Sequence, residues 1–186
     1  MPNNITNHLT VNGTEEEVKD IFTSLKTENS DFDFNEILPM PEELKNTLAS
    51  TSEPTNPKLI KKYGHNNWYD WANANWGTKW NAYNVDHISD SEVRFDTAWS
   101  CSDVLIAKLS ALHPSVDFTL TYADEDLGSN CGIITYKNGK IATFEDKAIG
   151  NLDTAEDSIR WAMTVKYGND NDYEEWYEND EEDEED

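Results

Sequence analysis

The chain is poor in positive charge. Against 38 aspartates and glutamates it has 14 lysines and arginines, a formal net charge of −24. A surface of that sign repels nucleic-acid phosphates and anionic lipid, and attracts basic protein surfaces and cations. Cysteine is scarce as well: Cys101 and Cys131 form no CxxC pair and show no zinc-ligand spacing with histidine. Two reduced thiols are expected, with Cys101 close enough to a predicted helix start to have its pKa lowered somewhat. There is no run of 18 apolar residues, and Met1-Pro2-Asn3-Asn4 lacks the basic region of a signal peptide. The sequence reads as a soluble cytoplasmic protein with no membrane partner.

The recurrent motifs of enzyme chemistry are missing too. No P-loop, GxGxxG or GxSxG occurs, and His8, His65, His87 and His113 share no metal spacing. The stretch Asp170-Asn171-Asp172-Tyr173-Glu174 opens like a calcium loop, but Glu175 stands at the sixth position, where an EF-hand needs glycine. No metal or cofactor is expected. His65 lies five residues before Asp70, an acid–base pairing without a nucleophile beside it. A lone histidine is more often a hydrogen-bonded structural residue, so an accessory enzyme with a site near His65 and the tryptophan cluster stands as the alternative reading.

Aromatic residues, by contrast, are plentiful. Seven tryptophans and eight tyrosines in 186 residues argue for a packed core despite the charge. Residues 5–11 alternate as a strand and end at Asn12-Gly13. Thr14-Glu15-Glu16-Glu17 then matches a capping box, followed by Val18, Ile21, Phe22 and Leu25 at helical spacing. Phe32 to Leu38 reads as a short strand, stopped by Pro39 and Pro41, and residues 41–76 read as inserted short helices. Residues 79–87 and 93–99 form a predicted hairpin, with a helix after it capped by Ser100 or Ser102 and striped by Val104, Leu105, Leu109 and Leu112. Val116 to Tyr122 is the clearest strand. Residues 131–136 and 140–144 flank the hairpin signal Asn138-Gly139, and a helix capped by Asp153 runs to Tyr167. The expected fold is α+β, a ferredoxin-like β-α-β-β-α-β core with inserted helices and an appended hairpin and helix.

Several runs carry a resemblance. They are Asn4-Ile5-Thr6-Asn7-His8-Leu9, Phe34-Asn35-Glu36-Ile37-Leu38-Pro39-Met40-Pro41, Asn75-Trp76-Gly77-Thr78-Lys79-Trp80-Asn81 and Phe95-Asp96-Thr97-Ala98-Trp99-Ser100. Over residues 3–145 the chain resembles small phage- and plasmid-encoded proteins with a YubB-type ferredoxin-like domain. The resemblance implies accessory cargo of a mobile element and supplies no catalytic residues. In physical terms the tryptophan run reads chiefly as scaffolding, with Gly77 allowing a turn and Lys79 in cation–π contact between indoles.

The expected organisation is a domain over 1–168 and an acidic tail over 169–186. That tail holds 12 acids and no lysine or arginine, leaving 26 acids against 14 cations in the domain. Compact negative charge of this kind can occupy a basic nucleic-acid groove, so the expected function is non-enzymatic. It is inhibition of a host protein with a basic surface, as a DNA mimic against host defence. Tyr173, Trp176 and Tyr177 interrupt the acids, and the expected partner-binding residues are Asp170, Asp172, Tyr173, Glu174, Glu175, Trp176, Tyr177, Glu178 and Asp180. Direct nucleic-acid binding by Tyr83, Phe95, Phe118 and Tyr122 on strands is disfavoured, because Lys58, Lys61 and Lys62 are the only basic cluster.

Overall fold

The first strand divides the molecule into two layers. In β1 (Asn4–Asn12), Ile5, Leu9 and Val11 are buried on one side of the sheet, while Thr6 and His8 alternate with them on the other. The computed structural model describes residues 2–49 and 55–174. Thr14 caps α1 (Glu15–Ser24) in the expected box, its hydroxyl accepting from the Glu17 amide and the Glu17 carboxylate accepting from Thr14 N–H at 3.0 Å. Four short helices follow: α2 (Phe34–Ile37), α3 (Glu42–Lys45), α4 (Pro57–Tyr63) and α5 (Trp68–Trp76). The hairpin β2 (Tyr83–Ser89) and β3 (Glu92–Ala98) leads to α6 (Asp103–Leu112) and β4 (Asp117–Asp124). A second hairpin, β5 (Cys131–Lys137) and β6 (Lys140–Asp146), precedes α7 (Ala155–Tyr167).

The strands form one six-stranded antiparallel sheet in the order β2-β3-β1-β4-β5-β6. Val18, Ile21 and Phe22 of α1 and Leu105, Ile106 and Leu109 of α6 join Ile5, Leu9, Phe95, Phe118 and Leu120 in the main core. Each such side chain, fully buried, contributes about 1.5–3 kcal/mol of transfer free energy. α7 lies against β1 and β4 on the opposite face, where Ile159, Ala162 and Met163 pack with Ala123, Leu127 and Cys131. There the His8 ring bridges the Glu92 carboxylate at 2.7 Å and the Val165 carbonyl at 3.0 Å, and Arg94 donates to the Lys166 carbonyl at 3.1 Å. The β5–β6 turn has Asn138 and Gly139 both at positive φ, 46° and 75°, as a two-residue type I′ turn requires.

Five sequence expectations are corrected. Phe32 to Leu38 is no strand: Asp33 caps α2, and Phe32, Phe34 and Ile37 are buried together, a spacing that period two cannot provide. β2 begins at Tyr83 rather than at residue 79, because Asn81 closes a local turn by accepting from the Ala82 amide at 2.9 Å. In α6, Leu112 is exposed and Ile106 takes its place in the core. α7 is capped by Thr154 with Asp157, not by Asp153. Cys101 has its pKa pushed up to about 12, by burial and then by the nearby Asp103 charge, which together outweigh the helix N-terminus.

Cys131 is likewise pushed by burial to about 11. Both thiols are free and buried. A disulfide reagent at pH 8 should therefore react with neither in the native chain and with both after denaturation. Their ordinary value is 9.0, so the folded state favours the protonated thiol. That contribution is intact below pH 9 and declines as the unfolded chain ionises, up to about pH 11 for Cys131 and about pH 12 for Cys101.

Candidate partner-binding surface

The Trp76–Asn81 run reads residue by residue as the joint between α5 and the sheet. Trp76 is buried, edge-on to Phe34 and Trp71, and its indole N–H donates to the Leu38 carbonyl at 3.0 Å. Gly77 ends α5 at φ +82°, and a Cβ there would lie 3.2 Å from the Cys101 carbonyl oxygen. The Thr78 hydroxyl donates to the Ala98 carbonyl at 2.9 Å and accepts from the Ala98 amide at 3.2 Å, fastening the end of β3. Asn81 accepts from the Phe34 amide and donates to the Asp33 carboxylate, both at 2.8 Å.

Lys79 is the unusual member. It is 8% exposed, and its ammonium lies 3.8 Å from the Trp80 ring centroid and 3.7 Å from that of Trp99. The expected cation–π contact exists, with Trp99 rather than Trp76 as the second indole. Trp99 sits at φ +70°, a conformation that costs a bulky residue about 1–3 kcal/mol. Its amide donates to the Asn3 carbonyl at 2.9 Å and its carbonyl accepts from Asn130 at 3.4 Å, which holds it there. Trp80 and Trp99 are nonetheless 42% and 49% exposed, and sequence reasoning assigned neither of them a surface role. Trp99 lies at the end of a strand whose alternation predicts it inward; the reversal of φ turns it out.

Beside Trp80 is a groove of about 680 Å³ lined by Pro2, Asn4, Trp80, Asn81, Ala82, Tyr83 and Glu125. Glu125 is held in place, accepting from Asn4 Nδ2 at 2.7 Å, while Asn4 Oδ1 accepts from the Tyr83 hydroxyl at 2.5 Å. Burial, followed by the charges of Asp96 and Glu125, pushes the Tyr83 phenol to about 12, so it stays a donor at neutral pH.

The expected partner-binding residues fall into two groups. Glu175, Trp176, Tyr177, Glu178 and Asp180 lie outside the described residues. Asp170, Tyr173 and Glu174 turn back onto α7 after its C-cap at Gly168, and Arg160 gathers them. Its guanidinium donates to Glu174 at 2.6 Å, Asp170 at 3.3 Å and Glu156 at 2.6 Å, and lies 4.0 Å from the Tyr173 ring centroid. Tyr173 is 6% exposed and packs with the Ile159 cluster. Asp172 is exposed. Asp170 and Glu174 are thus rooted on Arg160, and among the described residues Lys62 on α4 pairs with Glu43 instead. Arg160→Ala should accelerate amide exchange at Tyr173 and leave exchange in β1 and β4 unchanged.

The remaining candidates are not assembled into sites. Asp70 exchanges hydrogen bonds with Asn67 at the start of α5, and among the described residues nothing pairs it with His65. Phe95, Phe118 and Tyr122 are buried on the helix-covered face of the sheet, where no base can stack on them. Among the described residues no cluster of three or more metal-ligating side chains occurs, and no helix is long and apolar enough to cross a membrane.

No curated protein matches the sequence. Among solved structures, the crystal structure of protein api92 from Yersinia pseudotuberculosis is 18% identical with a TM-score of 0.44, covering 64% of this chain and 41% of that one. The aligned part of this chain therefore spans about two-fifths of that protein. The family model described as a ferredoxin-like domain in Api92-like protein matches residues 75–186. That match takes in the acidic segment, which the resemblance over 3–145 leaves out, and omits β1 at the centre of the sheet. With well over half its length matched, the chain belongs to the family of the ferredoxin-like domain in Api92-like proteins.

Proposed function

We propose that this protein is a non-enzymatic acidic accessory protein of a phage or related mobile element. It binds, and inhibits, a host protein with a basic nucleic-acid-binding surface in the host cytoplasm. The observation that carries this reading is the fate of its few cations. Lys26, Lys45, Lys62, Lys137, Lys147 and Arg160 are already paired with carboxylates of the same chain. Lys79 is enclosed by indoles, and Lys108 donates inward to the Asn75 carbonyl at 2.9 Å. Among the described residues few cations stand free at the surface, and the 38 acids outnumber all 14 of them to give the net −24, so the outward field is negative and steers basic surfaces. Carboxylates displayed on a rigid sheet and on a segment rooted at Arg160 can stand in for backbone phosphates.

The same reading extends to the fold. β1, α1, β2, β3, α6 and β4 follow a β-α-β-β-α-β path, with α2 to α5 inserted before β2 and the β5–β6 hairpin and α7 appended after β4. The test is a full-length chain with the acids of residues 175–186 replaced by Asn and Gln. It should lose most of its affinity for a basic groove protein while keeping the thermal midpoint of the parent. Unchanged affinity would remove the acidic segment from the function.

A further inference from the structure

We propose that the groove formed by Trp80, Tyr83 and Glu125 is a docking site for an arginine side chain presented by a basic partner segment. This rests on the reading of the protein as a binder of basic surfaces, and adds a contact point on the folded domain, separate from the acidic segment.

Three features point to that occupant. The first is an oriented carboxylate. Glu125 Oε2 accepts from Asn4, which is fixed in turn by the Tyr83 hydroxyl, and that hydroxyl also reaches the Thr97 carbonyl at 3.2 Å. Among the described residues nothing hydrogen-bonds Glu125 Oε1, which leaves an acceptor for a guanidinium. The second is a braced aromatic wall. Lys79 lies against the Trp80 ring, Trp99 backs Lys79, and the Trp99 backbone is held in its strained conformation from Asn3 and Asn130. Trp80 is thereby presented half-exposed with its ring already packed on Lys79, which lowers the ordering cost for a ligand that stacks on it. The third is charge. Glu125 is the one carboxylate in the lining, and no cation lines the groove.

A guanidinium satisfies both walls together, since its plane stacks on an indole while its edge forks to a carboxylate. Pro2 and Ala82 offer apolar surface for the aliphatic stem. An ammonium is a compact, strongly hydrated point charge that makes no planar stack, so the site prefers arginine to lysine.

The experiment titrates the ¹⁵N-labelled full chain with a peptide of alternating arginine and glycine and follows two indole N–H signals. Trp80 reports the groove and Trp176 the acidic segment, each assigned from its phenylalanine variant. The Trp80 signal is expected to shift saturably, and several-fold less with lysine in place of arginine. Glu125→Gln keeps the side-chain shape and is expected to weaken binding at Trp80 about tenfold, the loss of one charge-assisted contact. Trp80→Leu, a change at the surface, removes that indole signal, so it is followed at the backbone amides of Tyr83 and Glu125 in the same labelled chain, where it is expected to abolish the preference for arginine. A shift at Trp176 with none at Trp80 would overturn the groove while sparing the wider reading. Shifts at neither would count against both. An equal Trp80 shift with a citrulline peptide would show an apolar site and overturn the proposal.

Discussion

Replacing Phe95 with alanine is expected to cost about 3–5 kcal/mol, much of the stability of a domain this size. Phe95 is fully buried on β3, its ring stacked on Phe32 at 4.8 Å and met edge-on by Phe34 at 5.8 Å. Phe32 lies just before α2 and Phe34 is its first residue, so the cavity would open where sheet and inserted helices meet. The midpoint of urea unfolding should fall sharply with an unchanged slope. A loss below about 1 kcal/mol would mean that the α2 segment is not part of the cooperative core.

Asn81→Ala should cost about 2–3 kcal/mol, because it strands the buried Phe34 amide and the neighbouring Ala82 amide at once. It also removes a hydrogen bond from Asp33. Burial alone would raise the Asp33 pKa, but the hydrogen bonds from the Asn35 side chain, the Asn35 amide and Asn81 outweigh it and hold the carboxyl below 3.8. A carboxylate depressed in the folded state stabilises the protein above its unfolded value, and loses that contribution as pH falls through its folded value. In the wild-type chain this loss lies below about pH 4, and in Asn81→Ala the acid limb of the stability curve should move to higher pH. An unmoved acid limb would show that Asn81 does not support the Asp33 charge.

The parts of this fold that were legible in the sequence are those governed by local chemistry. Thr14 and Glu17 announce their helix start, Asn138-Gly139 announces its turn, and the alternation of Val116 to Tyr122 announces a central strand. What was not legible depends on distant partners. The Phe32–Leu38 segment is apolar enough for a strand, yet a side-chain cap from Asp33 and a bond from Asn81, 47 residues away from Phe34, hold it as a single helical turn. The site shows the same division. The acids of residues 169–186 are plain in composition, and Tyr173 stands out among them, but the return of Asp170 and Glu174 to Arg160, with Tyr173 docked beneath it, depends on a partner on α7 that no local pattern marks. The Lys79 sandwich was half visible. Trp80 is its neighbour in sequence, but Trp99 reaches it through a backbone reversal at φ +70° after β3.

The central claim is that the outward negative field of 38 acids against 14 cations binds a basic groove in place of nucleic acid. The most direct measurement is the affinity of the full chain for purified nucleic-acid-binding proteins with basic grooves, between about 50 and 200 mM salt, with and without competing duplex DNA. The account predicts binding that weakens steeply with salt and is displaced by DNA from the same groove. Binding indifferent to both salt and DNA, or none at the lowest salt, would contradict it.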